Sequence, residues 1–270
     1  MELVDMLFHG LGLVYVSFMM ALGALTLRAA KAMGDRKVSI FGTGLLLIGL
    51  GDCSHVMGHI LADLYGGLRS DPMGPPTWAD AYEAVSTAVS VSLATVFFLT
   101  IQLYASLSRR GRLGWLDRAL MGVTVVAFVA SFINWAFLQA YQGLYPKLLR
   151  AQGALSAHPE VLASMVVAVL AMVSVGYVGC LSFLGLAKEK RSSSDPVVAR
   201  RYELASWGMF LMVVAVTLVL AHPFLADIAL AMRMVTALKI LSLMAATALT
   251  YLGLVGPRWF VERIQARAGA

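Results

Sequence analysis

Charge is the property that this chain has least of. Only 13% of its 270 residues are charged, whereas 60% are hydrophobic, and the mean hydropathy is +0.80. Soluble domains carry about 25% charged residues, so this composition excludes an ordinary water-soluble domain. Cysteine is scarce too: Cys53 and Cys180 lie inside predicted helices and no CxxC occurs, which excludes a disulfide framework.

The apolar residues fall into seven blocks, each of about 20 residues, the length needed to cross ~30 Å of hydrocarbon. We therefore predict an all-α integral membrane protein, a bundle of seven transmembrane helices in a single membrane domain over residues 1–257. Residues 258–270 are predicted to form a short amphipathic, basic cytoplasmic tail. The predicted helices cover residues 6–27, 38–65, 79–107, 116–141, 159–187, 201–221 and 224–255.

Lysine and arginine are concentrated in alternate loops. The loops after the first, third and fifth predicted helices, together with the tail, hold most of them, whereas the opposite loops hold only Arg69, Lys147 and Arg150. The positive-inside rule then predicts an extracytoplasmic N-terminus and a cytoplasmic C-terminus in the plasma membrane. The first residues are acidic and lack the basic region of a signal peptide, so we expect the first helix to be retained.

The concentration of lysine and arginine in alternate loops also explains the net charge of +6, so we expect no nucleic-acid partner. The partners that we expect are the lipid bilayer and a small-molecule or lipid ligand, and a homo-oligomer is compatible with the sequence.

The second predicted helix carries a polar stripe. Asp52, His55, His59 and Asp63 fall within about 80° of one another at ~100° per residue. Ionisable side chains inside a bilayer cost several kcal/mol and usually face the interior of the bundle. Glycines on this helix allow a neighbouring helix to approach closely. The stripe therefore predicts a polar site between helices.

The His55-x-x-x-His59 spacing places two imidazoles one turn apart, as in helices that bind zinc. All five histidines lie in the predicted outer half of the bundle. The predicted metal ligands are His55, His59, His222, His9 and Asp63. Glu83 and Asp52 are the carboxylates predicted to act in catalysis, the spare one as general base. The alternative interpretation is a hydrogen-bonded seam between helices without a metal.

The seventh predicted helix adds two cations, Arg233 and Lys239, which are the candidate cofactor-binding residues. Arg233 is expected to pair with Glu83 or Asp80, and Lys239 with Asp52. Such pairs are structural or belong to a proton path. The polar side chains that would complete a hydrogen-bonded network are Ser86, Ser90, Ser92 and Asn134.

Lys239, near the middle of the seventh helix of a bundle whose N-terminus is outside, resembles the lysine of retinal proteins. The resemblance implies a retinal Schiff base at Lys239 with Glu83 or Asp52 as its counter-ion.

A second resemblance is to the alkaline ceramidase and adiponectin receptor superfamily of seven-helix zinc hydrolases. In this resemblance His55 or His59 stands for the histidine late in helix 2, and Asp80 or Glu83 for the acid in helix 3. The HxxxH motif of that superfamily lies in helix 7, whereas here it lies in helix 2 and helix 7 has no histidine, so the chain is not assigned to it.

Three classes of function follow from these residues. The first is a zinc-binding protein that acts as a membrane-embedded hydrolase. The second is a non-enzymatic sensor, receptor or transporter whose polar cluster binds a proton or a ligand. The third is a b-type haem protein with histidine axial ligands, or a retinal protein.

Overall fold

The computed structural model describes residues 3–65, 77–110, 114–126, 129, 159–193, 195–219 and 229–268. Nearly all of these residues are helical and none of them lies in a β-strand, which confirms the predicted all-α class. The helices are α1 (Leu3–Met33), α2 (Arg36–Leu64), α3 (Trp78–Arg110), α4 (115–126), α5 (Pro159–Ser192), α6 (Pro196–Val219), α7 (Ala229–Leu254) and α8 (Arg258–Ala268).

Five of these helices are long and apolar enough to cross a membrane. The spans are Met6–Met33, Val38–Leu61, Val169–Ser192, Pro196–Leu218 and Arg233–Leu254. The apolar part of α3 is the shorter stretch Ser92–Ile101, and most of the predicted fourth helix lies outside the described residues. The structure thus agrees with a multi-pass membrane protein, while the number of seven spans and the orientation stay predictions.

Turn chemistry decides where α1, α2 and α6 begin or end. Gly34 follows α1 with a φ of +66°, and the Asp35 N–H then donates to the Ala30 carbonyl at 3.1 Å, as in a Schellman cap. The Asp35 carboxylate caps α2, accepting from the Val38 N–H at 3.3 Å. Asp195 caps α6 in the same way, at the turn before Pro196. Helix α6 begins at Pro196, so the predicted start at residue 201 is wrong by more than one turn.

Arg201 holds the C-terminal end of α7 against the start of α6. Its guanidinium donates to the carbonyl oxygens of Gly253 at 3.2 Å and Leu254 at 2.7 Å, which satisfies carbonyls that a helix end leaves without partners. Gly256 follows with a φ of +59° and no room for a side chain, because a Cβ there would lie 2.6 Å from the Arg201 Nε. Ala30 and Val38 pack with Val255. The α1–α2, α5–α6 and α7–α8 turns therefore share one end, here called the basic end.

The described helices pack as a closed ring. Helix α1 contacts α2, α2 contacts α3, α3 contacts α5, α5 contacts α6, α6 contacts α7, and α7 contacts α1. Glycines permit the closest approaches: a Cβ on Gly49 would lie 2.8 Å from the Met20 side chain, and one on Gly208 would lie 2.7 Å from the Ala246 carbonyl oxygen. The ring order places α1 and α3 on either side of α2, and α7 on the far side of α1.

The outward faces of these helices are apolar. Large hydrophobic side chains exposed on them include Leu13, Val14, Leu25, Leu50, Val96, Val167, Leu170, Leu184, Leu238 and Leu241. An apolar surface of this extent is typical of a protein in contact with lipid. Both cysteines are free thiols, so no disulfide contributes to the fold.

Candidate functional site

Asp52 lies past the middle of α2 and binds side chains from two other helices. The Tyr15 hydroxyl, on α1, donates to the Asp52 Oδ2 at 2.6 Å. The Ser90 hydroxyl, on α3, donates to the Asp52 Oδ1. Tyr15 and Ser90 are themselves buried. Both oxygens of one carboxyl group therefore accept a hydrogen bond inside the bundle, and they tie α1, α2 and α3 together.

Gly51 is the reason that the short side chain of Ser90 reaches Asp52. A Cβ on Gly51 would lie 3.1 Å from the Ser90 Cα and 3.0 Å from the Leu93 Cδ1. Such spacing is tighter than ordinary van der Waals contact, so only glycine allows α3 to approach α2 this closely. The glycine next to the carboxylate is thus part of the construction of the site.

Lys239 brings a positive charge from α7 to the same place. Asp52 and Lys239 interact electrostatically, and Lys239 is partly buried. This arrangement corresponds to the second pairing offered by the sequence. We call Tyr15, Asp52, Ser90 and Lys239 the Asp52 cluster; its members come from four helices.

The two histidines of α2 contact each other directly. The Nε2 atoms of His55 and His59 are 3.0 Å apart, and the ring centroids are 4.3 Å apart with the planes inclined at 67°. A hydrogen bond between two imidazole nitrogens requires one N–H and one free lone pair. The pair therefore holds a proton at this contact, and its position depends on the tautomers.

His9 and Asp63 join the N-terminal part of α1 to the last turn of α2. The His9 Nε2 lies 2.8 Å from the Asp63 Oδ2, and the two side chains are 14% and 21% exposed. The contact is an ion pair when the imidazole is protonated and a neutral-donor hydrogen bond when it is not. Ser54 and Tyr82 form a further contact between α2 and α3, with their hydroxyl oxygens 3.2 Å apart. We call the end of the bundle that holds His9, Asp63 and the His55–His59 pair the histidine end.

Some predicted site residues cannot be placed with the others. His222 lies outside the described residues, as do the side chains of Glu83 and Asp80. Arg233 is partly buried and is the fifth residue of α7, which begins at Ala229. Its predicted pairing with Glu83 or Asp80 stays a prediction, because the structure does not describe those carboxylates.

The predicted metal ligands that are described form close contacts within α2 and between α2 and α1. In the described part of the chain, no three histidine, cysteine, aspartate or glutamate side chains are grouped so that they would hold a metal ion. A catalytic zinc normally takes three protein ligands. The zinc prediction therefore depends on residues that lie outside the described ranges.

Tyr15 is the site residue that the sequence reasoning missed. The signal was available: a tyrosine within an apolar helix needs an acceptor for its hydroxyl group when it is buried. Asp52, on the facing helix, is that acceptor.

In comparisons with known proteins, no protein-family model, curated protein or solved structure matches this chain. Its function must therefore be argued from the geometry of the site. The arrangement consists of a partly buried carboxyl group with two hydroxyl donors and a nearby ammonium group, followed by imidazoles toward one end. Every member of this series can gain, lose or share a proton.

Proposed function

We propose that this chain is a non-enzymatic, proton-responsive membrane protein, a sensor or a proton-coupled carrier, in which Asp52 is the group that takes up the proton. The observation that carries the proposal is the Asp52 cluster. A carboxyl group inside the bundle receives donors from α1 and α3 and interacts with Lys239 on α7. Ionisable residues placed in this way within apolar helices mark proton relays in pumps and transporters.

Protonation of Asp52 changes what the cluster can hold together. The ionised carboxyl group accepts from both Tyr15 and Ser90 and balances the charge of Lys239. The protonated group carries its own O–H, so one oxygen becomes a donor and a neighbouring hydroxyl group must turn. Lys239 then loses the negative charge opposite it. A single proton thereby alters the hydrogen bonds of α2 with α1 and α3, together with the electrostatic interaction of Asp52 with Lys239 on α7.

The other function classes need groups beyond this cluster. A zinc hydrolase needs a third ligand beside His55 and His59; of the other predicted ligands, His9 and Asp63 contact each other and His222 lies outside the described residues. A retinal protein would use Lys239, with Asp52 as counter-ion, and a b-type haem protein would use histidines on different helices. These classes stay predictions, and the colour of the purified protein distinguishes both pigments from a proton binder.

The proposal is tested by infrared difference spectroscopy of the purified protein in lipid. Spectra are recorded between about pH 4 and about pH 9, where carboxyl and imidazole groups titrate. We expect the wild-type protein to show the carbonyl stretch of a protonated carboxyl group that appears on acidification and is absent from Asp52→Asn.

Asp117→Asn is the matched control. Asp117 is a buried carboxylate at the start of α4, where it accepts from the Gly114 N–H at 3.0 Å, apart from the Asp52 cluster. This variant is expected to keep the band that Asp52→Asn loses. Identical spectra for the wild-type protein and Asp52→Asn at every pH would overturn the proposal.

A further inference from the structure

The face of α2 that carries Asp52 changes character along its length. Seven residues at alternating spacings of three and four, with a final four, share one face of the helix. In chain order they are Phe41, Leu45, Ile48, Asp52, His55, His59 and Asp63. The three that precede Asp52 are apolar, and the three that follow it are polar. Asp52 is therefore the boundary between an apolar and a polar half of the same stripe.

The apolar half is closely packed. Leu45 is 0% exposed, and Phe97 on α3 is 2% exposed. The rings of Phe41 and Phe97 contact each other with centroids 5.6 Å apart. At 1.5 Å per residue this layer extends from Asp52 for about 16 Å toward the basic end. Protein interiors packed in this way leave few voids large enough for water, so these residues form an apolar layer between α2 and α3, from Asp52 toward the basic end.

The polar half is different in both chemistry and exposure. From Asp52 the stripe continues through the His55–His59 contact to Asp63, which contacts the partly exposed His9. Successive polar residues are one turn apart, about 5 to 6 Å between Cβ atoms. An imidazole can accept a proton at one ring nitrogen and release another from the opposite nitrogen, which returns the ring to its neutral state. On this face of α2, polar residues therefore follow Asp52 toward the histidine end, whereas apolar residues precede it toward the basic end.

We propose that Asp52 exchanges protons with water at the histidine end alone, so that the protein senses the proton concentration on that side and does not carry protons across the membrane. This inference rests on the proposed function and chooses the sensor over the carrier. The proton enters at His9 and Asp63, passes the two histidines and is bound by Asp52.

The groups that face this route include other titratable and charged side chains. Tyr15 from α1 and Lys239 from α7 face Asp52, and Ser90 from α3 faces it with an uncharged hydroxyl group. Tyr82 from α3 reaches Ser54 at the histidine end. Arg233 lies on α7, nearer than Lys239 to the start of that helix. Proton uptake by Asp52 removes the negative charge with which Lys239 interacts, and so changes the charge balance of that lysine.

Cysteine accessibility from each side of the membrane tests the inference. The background is the full chain with Cys53→Ala and Cys180→Ala, oriented in lipid vesicles. Single changes are introduced on the polar half of the stripe, Asp52→Cys or His55→Cys, and on the apolar half, Leu45→Cys. The probe is a cationic methanethiosulfonate that does not cross the bilayer. Leu50→Cys is the lipid-facing control, since Leu50 is 53% exposed on the outside of α2.

We expect Asp52→Cys and His55→Cys to be modified only when the probe is on the side of the histidine end. Leu45→Cys and Leu50→Cys should stay unmodified from both sides. Only variants that elute from size-exclusion chromatography with the parent protein are compared, and His55→Cys serves if Asp52→Cys does not fold.

Two results would overturn one-sided access. The first is modification of Leu45→Cys, or of Asp52→Cys, by probe on the side of the basic end. The second is a failure of both Asp52→Cys and His55→Cys to react with probe on the side of the histidine end. Neither result bears on whether Asp52 takes up a proton, which the infrared experiment decides separately in the protein with its native Asp52.

A flux measurement on the wild-type chain supplies an independent readout. Vesicles that contain a trapped pH-sensitive dye are given a pH gradient, with and without protein. We expect the gradient to decay at the same rate in both. Faster decay with the wild-type chain that is lost in Asp52→Asn would show a carrier and overturn the sensor inference, while leaving proton binding at Asp52 in place.

Discussion

The two hydroxyl groups that bind Asp52 can be removed one at a time with little change in shape. Tyr15→Phe deletes the donor to Oδ2, and Ser90→Ala deletes the donor to Oδ1. Each single variant leaves Asp52 with one hydroxyl donor, and the double variant leaves it with neither. The three variants and the wild-type protein form a double-mutant cycle on the centre of the proposed site.

The magnitude follows from the charge of the acceptor. A hydrogen bond to a charged group contributes about 1.5–3 kcal/mol to the free energy of unfolding, and one between neutral groups contributes about 0.5–1.5 kcal/mol. At alkaline pH, where Asp52 is ionised, each single change should therefore cost about 1.5–3 kcal/mol. At acid pH, where it is protonated, each should cost about half as much. We expect the double variant to lose more free energy of unfolding than the two single variants lose in sum, and the excess should be about 0.5–3 kcal/mol.

The assay is equilibrium unfolding in detergent micelles, followed by tryptophan fluorescence at an acid and an alkaline pH. Tyr177→Phe and Ser174→Ala are the matched controls: Tyr177 is 54% exposed, and the Ser174 hydroxyl donates only to the Leu170 carbonyl of its own helix, at 2.8 Å. They should change stability by less than about 0.5 kcal/mol. If Tyr15→Phe and Ser90→Ala stay within the range of these controls at both pH values, the reasoning about the cluster is wrong.

Three further predictions concern the frame and the alternatives. Gly208→Ala should lower the free energy of unfolding by about 1–3 kcal/mol, because its Cβ would lie 2.7 Å from a backbone oxygen of α7. Gly10→Ala is the control, since a Cβ at Gly10 would have nothing within 4 Å. Equal stability of the two variants would contradict the prediction. Arg201→Met should cost about 1–3 kcal/mol, since two carbonyl groups at the end of α7 lose a charged donor; a thermal melt unchanged from wild type would refute this capping role. If Asp52 binds protons and no zinc is held by the histidines, the double change His55→Ala and His59→Ala should leave the metal content of the purified protein unchanged. Loss of about one zinc per chain in this variant would favour the hydrolase.

Much of the architecture could be predicted because a membrane restricts the alternatives. Backbone polar groups in hydrocarbon must be paired within the segment, so an apolar block of sufficient length becomes a helix. The starts of α1, α2 and α5 lie within three residues of their predicted positions. The predicted start of helix 6 was wrong, because Asp195 and Pro196 form a capped start that hydropathy does not detect. The ends of α1 at Met33 and α5 at Ser192 also lie beyond the predicted residues 27 and 187.

The site could be predicted only in part, since its members come from different helices. Asp52, His55, His59 and Asp63 share one face of α2, and 3.6-residue periodicity makes this visible in the sequence. Their partners do not follow from periodicity. Tyr15 is 37 positions from Asp52, and its role depends on α1 packing beside α2 with a particular rotation.

The sequence by itself determined that this chain forms apolar helices, that α2 has a polar stripe, and that cations cluster in alternate loops, because each of these is a property of local composition and helical period. Only the tertiary structure decided the order of the helices around α2. Close approach at glycines such as Gly51 and closure of the ring by α7 bring Ser90, Tyr15 and Lys239 to one carboxyl group. Packing, not pattern, made Asp52 the centre of the site, whereas the polar and apolar halves of the stripe on either side of it follow from the helical period of α2.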